Sequence, residues 1–72
     1  MYQVTERQVD LIKQFRSNYI KLREEHDAKS KHYDKYEMYA EYMAERTMAA
    51  YCRGVVFALD DVLRLIESGV VK

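Results

Sequence analysis

The residues of this chain that could carry chemistry are few, and most of them stand near its middle. His26 and His32 lie among Glu25, Asp27 and Asp34, whose side chains are of the types that bind metal ions. Metal sites on helices usually place ligands three or four residues apart, so that they share one face. The two histidines have no such spacing. We therefore interpret the cluster as a hydrated turn and predict no metal site.

Nucleophilic and acid–base chemistry find no better support. Cys52 is the only cysteine, which excludes an internal disulfide and is typical of a buried apolar thiol in a reducing compartment. Asp60 and Asp61 are adjacent in an otherwise apolar segment, where we expect solvated acids. There is no glycine-rich loop, nucleophile elbow or paired-cysteine motif. The sequence predicts a protein that is not an enzyme and has no cofactor.

Size and charge narrow the class further. The chain has 72 residues, enough for one small domain over residues 1–72, and its 12 basic and 12 acidic residues cancel. A general nucleic-acid binder usually has a basic excess, so nucleic acid is an improbable partner. The longest apolar run, residues 55–59, is too short to cross a membrane, and no signal peptide is recognisable. We expect a cytoplasmic protein without membrane contact.

The spacing of apolar residues predicts an all-α protein. There is no proline, and Val9, Ile12 and Phe15 begin an apolar face at helical spacing. Thr5 and Gln8 match a capping box at the start of a first helix over about residues 5–27. The polar segment 26–34 favours a turn, although a single long helix is the competing interpretation. A second helix should run over about residues 31–68 and stop at Gly69.

A turn near residue 29 fixes which residues of the two antiparallel helices should face each other. In that register Arg23 lies beside Glu37, and Arg16 lies beside Glu41 and Glu45. These charges would flank the contact between the helices and set its register.

The same register leaves the end of the second helix uncovered, because the first helix is shorter. The apolar side chains at this end form an arc along one side of the second helix, and an arc left uncovered requires a partner. A second copy of the chain would give a dimeric four-helix bundle. The alternative is a bend at Gly54 that folds residues 55–68 back as a third helix. The predicted dimer interface comprises Met48, Tyr51, Gly54, Val55, Leu59, Val62 and Ile66.

A basic and aromatic stripe is predicted on the opposite side of the second helix. Tyrosine and arginine are enriched where proteins bind other proteins, so an acidic protein surface is the expected target. The alternative function is a small nucleic-acid-associated regulator. The stripe comprises Lys35, Tyr39, Tyr42, Arg46, Arg53, Phe57 and Arg64.

The segment MAERTMAAYCRGVVFALDDVLRLIES, residues 43–68, resembles the C-terminal helix of small, mostly uncharacterised helical proteins of phages and prophages of Gram-positive bacteria. The resemblance covers roughly residues 38–68 and is compositional. It implies a non-catalytic protein that binds and inhibits or modulates a host protein. It implies no site residue.

Overall fold

Two antiparallel helices of nearly equal length form the whole described structure. The computed structural model describes residues 4–69, with α1 over Glu6–Lys35 and α2 over Tyr39–Glu67. The helices have 30 and 29 residues and pack along their full length in a body of 52 × 17 × 15 Å. The prediction of an all-α, antiparallel two-helix hairpin is confirmed, and no strand occurs among residues 4–69.

The outer ends of both helices are built as the sequence predicts. The Thr5 hydroxyl accepts from the Gln8 N–H at 3.2 Å, and the Thr5 N–H donates to the Gln8 side chain at 2.9 Å. This reciprocal capping box satisfies amides that the first turn of a helix leaves unpaired. At the other end Gly69 has φ +80° and donates its N–H to the Ile66 carbonyl at 3.1 Å. Glycine takes this left-handed conformation without steric cost.

The predicted position of the turn is wrong, because α1 continues for eight residues beyond residue 27 and the turn falls at residues 36–38. The Met38 N–H donates to the Tyr33 carbonyl at 2.9 Å, and the Glu37 N–H donates to the Asp34 carbonyl at 3.1 Å. These two bonds make a Schellman motif. Glu37 occupies its left-handed position with φ 58°, which costs a non-glycine residue roughly 1–2 kcal/mol.

The polar segment 26–34 is helical because nothing in it breaks a helix, and the side chains of His26 and Ser30 find hydrogen-bond partners in the folded hairpin. The Ser30 hydroxyl donates to the Asp27 carbonyl at 2.7 Å, and Ser30 is only 3% exposed. His26 shares a hydrogen bond with Glu45 across the two helices. His26 and Ser30 therefore lie in the helix–helix contact, although most of the segment around them is exposed.

The shift of the turn changes every facing pair. Arg16 pairs with Asp60, not with Glu41 or Glu45, and Asp27 lies against Arg46, with 3.8 Å between Oδ1 and Nη1. Glu37 is in the turn and Glu45 binds His26, so the predicted pairs with Arg23 and Arg16 are wrong. Since α1 and α2 have nearly equal lengths, α1 also covers the end of α2, and the predicted overhang does not exist.

The contact between the helices, here called the seam, follows alternating spacings of three and four residues along each helix, as in coiled coils. Its centre is thin: Ala49, Cys52, Val56 and Ser30 are buried, and the other seam residues are half-buried. The burial of Cys52 agrees with its predicted role as a small apolar residue. The seam comprises Val9, Ile12, Arg16, Tyr19, Arg23, His26, Ser30 and Tyr33 of α1, and Tyr42, Glu45, Ala49, Cys52, Val56, Leu59, Leu63 and Ile66 of α2.

Helix α2 is uninterrupted at Gly54, so the alternative of a bend and a third helix is wrong for residues 4–69. Gly54 faces outward, with no atom within 4 Å of a methyl group added to it. Within these residues neither helix combines the length and apolar character needed to cross a membrane.

The open surroundings of Gly54 lead to a stability prediction. We expect Gly54→Ala to raise the free energy of unfolding by about 0.8–1.0 kcal/mol, because alanine has the higher helix propensity and meets no neighbour. Urea unfolding followed by circular dichroism measures the change. A loss of stability would show that another surface packs closely against the row Ala50, Gly54 and Ala58.

Candidate functional site

The hairpin has two long sides that differ in character. Asp27 and Arg46 each follow a seam residue directly, and their side chains meet on one side, which we call the charged side. A residue that directly precedes a seam residue lies on the other long side of the hairpin, away from the charged side. Arg16 and Asp60 also pair at the edge of the charged side, so this side is crossed by ion pairs.

The opposite side is an exposed apolar strip contributed by both helices, which we call the apolar side. Helix α1 places Phe15 there with 54% of its surface exposed, and α2 places Tyr51 there with 59% exposed. The Tyr51 ring meets the Tyr19 ring edge-on, with 6.5 Å between centroids, which ties this side to the seam. The apolar side comprises Leu11, Phe15 and Leu22 of α1, and Met48, Tyr51, Val55, Val62 and Leu65 of α2.

The predicted dimer interface divides between three places. Met48, Tyr51, Val55 and Val62 lie on the apolar side, where all but the half-buried Val55 are exposed. Leu59 and Ile66 occupy seam positions and are half-buried against α1, while Gly54 faces outward into open space. The structure therefore brings part of the predicted set together and separates the rest.

The contribution of α1 to the apolar side was not predicted from the sequence. Phe15 was predicted on the apolar face of the first helix, which should pack against the second, yet Phe15 and Leu22 are both exposed, Leu22 at 39%. A signal for this was present, because Arg16 and Arg23 directly follow them. The two arginines hold seam positions, and the apolar residues are displaced to the adjoining side.

The basic and aromatic stripe lies along the edge of α2 on the charged side, apart from Lys35, which ends α1. Tyr39 and Phe57 are 73% and 61% exposed, while Tyr42 holds a half-buried seam position. Two of its arginines have acidic partners within the chain: Arg46 lies against Asp27, and Arg64 pairs with Asp61 at 3.0 Å. Arg53 is exposed as well.

The seam is unusually polar toward the turn. The side chains of His26 and Glu45 are 19% and 18% exposed and bind each other. The Nε of Arg23 is buried without a hydrogen-bond partner among the described residues. A polar pair largely withdrawn from water adds little net stability, because desolvation offsets most of its attraction, and in some helical assemblies such residues select one register. We therefore assign these residues a role in fixing the hairpin register.

The metal-binding and thiol candidates of the sequence can be located within residues 4–69. Over that range no three histidine, cysteine, aspartate or glutamate side chains are grouped closely enough to hold a metal ion. Cys52 is 2% exposed, which keeps its thiol from reaching a substrate. The features that remain are surfaces: the apolar side, the charged side and the turn.

Comparison with known proteins finds no matching family model, no similar curated protein and no similar solved structure.

Proposed function

We propose that this chain is a non-catalytic protein–protein interaction module that acts as a homodimer and inhibits or modulates a second protein. The apolar side is the observation that carries the proposal. Monomeric proteins rarely leave a continuous apolar strip from two elements facing water. A partner that covers this strip removes it from water and stabilises both helices.

The surface area supports a second copy as the occupant. The chain exposes 5917 Å², whereas a compact monomer of 8.6 kDa exposes about 4,700 Å². The excess, about 1,200 Å², reflects the elongated shape of the hairpin, whose length of 52 Å offers a long side on which a second copy would bury the roughly 800 Å² per partner of a standard interface. A symmetric pair of hairpins joined by their apolar sides would form a four-helix bundle with a core much thicker than the seam.

The charged side would remain outside in such a bundle. Its exposed Arg53, Phe57 and Tyr39 are of the types that dominate binding energy at protein interfaces. An acidic protein surface is the complementary target, in line with the role implied by the resemblance to phage proteins. Among residues 4–69 no contact specifically favours nucleic acid, and Arg46 and Arg64 each have an acidic partner within the chain.

The mass in solution tests the dimer. Light scattering over micromolar concentrations should give twice the chain mass of 8.6 kDa, and the melting temperature should rise with protein concentration. A mass of one chain with full helicity at every concentration would contradict the proposal.

The stripe is tested separately. A triple variant with Arg53, Phe57 and Tyr39 changed to alanine should keep its helicity and dimer mass, because these side chains are exposed. It should lose the partners that the wild-type chain retains from the native host. Equal retention by the wild type and the variant would show that partner binding uses another surface.

A further inference from the structure

A small cavity at the turn has a lining unlike the rest of the surface. It has a volume of about 270 Å³ and is lined by Tyr33, Asp34, Glu37, Met38, Tyr39 and Tyr42. We call it the turn cavity. Its walls come from the end of α1, the connection and the first turn of α2, so the Schellman motif holds them together. Its size suits a small ligand or the head of a long side chain.

The chemistry of this lining favours a cation with an apolar surface. Three tyrosines line the cavity, a residue type whose ring faces carry negative charge density, and Met38 adds a polarizable thioether. Asp34 and Glu37 supply carboxylates, and among the described residues no lysine, arginine or histidine lines this cavity. Lys31 and Arg46 line the adjoining cavity, which shares Asp34 and Tyr42, so Glu37 is the carboxylate without a basic residue in its own lining. The carbonyl groups at the C-terminal end of α1 add partial negative charge at this place. The N–H groups at the N-terminal end of α2 carry partial positive charge, which the carboxylate of Glu41 in the first turn of α2 offsets.

The backbone at Glu37 gives a second, independent indication. Its φ of 58° is the conformation that glycine adopts freely, yet the position carries a glutamate that lines the cavity. The Schellman motif requires the left-handed backbone but not the glutamate, and residues held in such conformations cluster at ligand-binding sites. Glycine here would give a more relaxed turn and would remove one of the two carboxylates.

We propose that the turn cavity binds a trimethylammonium group, held by the tyrosine faces and by Glu37 and Asp34. A primary ammonium group is strongly hydrated and keeps its water in so open a cavity, whereas a methylated ammonium has an apolar surface suited to aromatic rings. The group could belong to a free choline-type molecule or to a trimethylated lysine of a protein. This inference does not rest on the dimer.

Binding can be measured on the full chain by following the amide resonances of residues 33–42. The probes are choline, a peptide with trimethyl-lysine, and the neutral choline analogue 3,3-dimethyl-1-butanol. We expect choline to bind at least about tenfold more tightly than the neutral analogue, since only the cation interacts with the rings and carboxylates. A peptide that binds more tightly than choline identifies a protein source, and equal affinities identify the free head group. Equal affinities of choline and the neutral analogue would overturn the proposal.

Variants separate binding from folding. Glu37→Gln should weaken choline binding about tenfold, whereas Glu24→Gln, which removes an exposed carboxylate far from the cavity, should not. Tyr39→Leu should weaken binding similarly, because it keeps apolar volume and removes a ring. Glu37→Gly should raise the melting temperature and still lose affinity, so the loss cannot come from unfolding. Unchanged affinity in both Glu37 variants would contradict the proposed role of this carboxylate.

Discussion

Replacing Val56 by aspartate is expected to unfold the hairpin. Val56 is 7% exposed and lies in the thin centre of the seam, beside Cys52. A buried carboxylate without a partner costs several kcal/mol, and a domain of this length has only about 4–10 kcal/mol of stability in total. Circular dichroism at 222 nm should show loss of most of the helical signal at 25 °C.

The neighbouring residue provides the control. Phe57 is 61% exposed on the outer part of α2. Phe57→Asp should therefore keep the helical signal, and its free energy of unfolding should lie within about 0.5 kcal/mol of the wild-type value. The two variants introduce the same charge at adjacent positions and differ only in the side of α2 that they change. If both variants fold equally well, the seam does not run through Val56.

Phe15→Glu is expected to separate the proposed dimer into single hairpins. Phe15 is 54% exposed on the apolar side, so a single hairpin loses little when it is replaced. In a symmetric dimer the change occurs twice, each time replacing a buried ring with a buried charge. Full burial of one such ring contributes about 1.5–3 kcal/mol, so the dissociation constant should rise by at least about 100-fold.

Light scattering and thermal unfolding measure this effect. The mass should fall toward 8.6 kDa, and the melting temperature should stop depending on protein concentration. Gln14→Glu is the matched control, because it adds the same charge one residue earlier, at an exposed position outside the apolar side. Dimers of unchanged affinity in the Phe15 variant would place the interface elsewhere.

The ends of the hairpin could be predicted from the sequence, because their signals are local. A capping box needs only Thr5 and Gln8, and a helix stop needs only Gly69. The all-α class follows from apolar spacing without any knowledge of the partner helix. These features depend on residues within one helical turn of each other.

The turn could not be predicted, because its residues do not match turn preferences. The connection Tyr36–Glu37–Met38 contains no glycine, proline or asparagine, and its left-handed position carries a glutamate. The polar segment 26–34 has the stronger turn composition, but His26 and Ser30 belong to the seam. An error of eight residues in the turn moves every facing pair, which is why the predicted overhang was wrong.

The positions of the exposed side chains could be predicted for α2 but not for α1, because the side of a helix that meets its partner is not a local property. Periodicity placed Tyr39, Arg53 and Phe57 on one edge of α2, and they lie there exposed. It could not show that Arg16 and Arg23 displace Phe15 and Leu22 from the seam, since that depends on which side of α1 meets α2. The spacing of apolar residues along one helix gives the width of its apolar surface. The position of the other helix decides which part of that surface is buried.

The three-residue connection also determines the order in which the chain is expected to fold. The entropy lost on closing a loop grows with its length, so contacts between Tyr33 and Tyr42 form at the lowest cost. Once these residues are in contact, each further helical turn brings the next pair of seam residues together at little additional entropy cost. Contacts can therefore form in order from the connection toward Val9 and Ile66. Folding by such local steps is fast. Opening should run in reverse, so amide protons near Val9 and Ile66 exchange with solvent before those beside the connection.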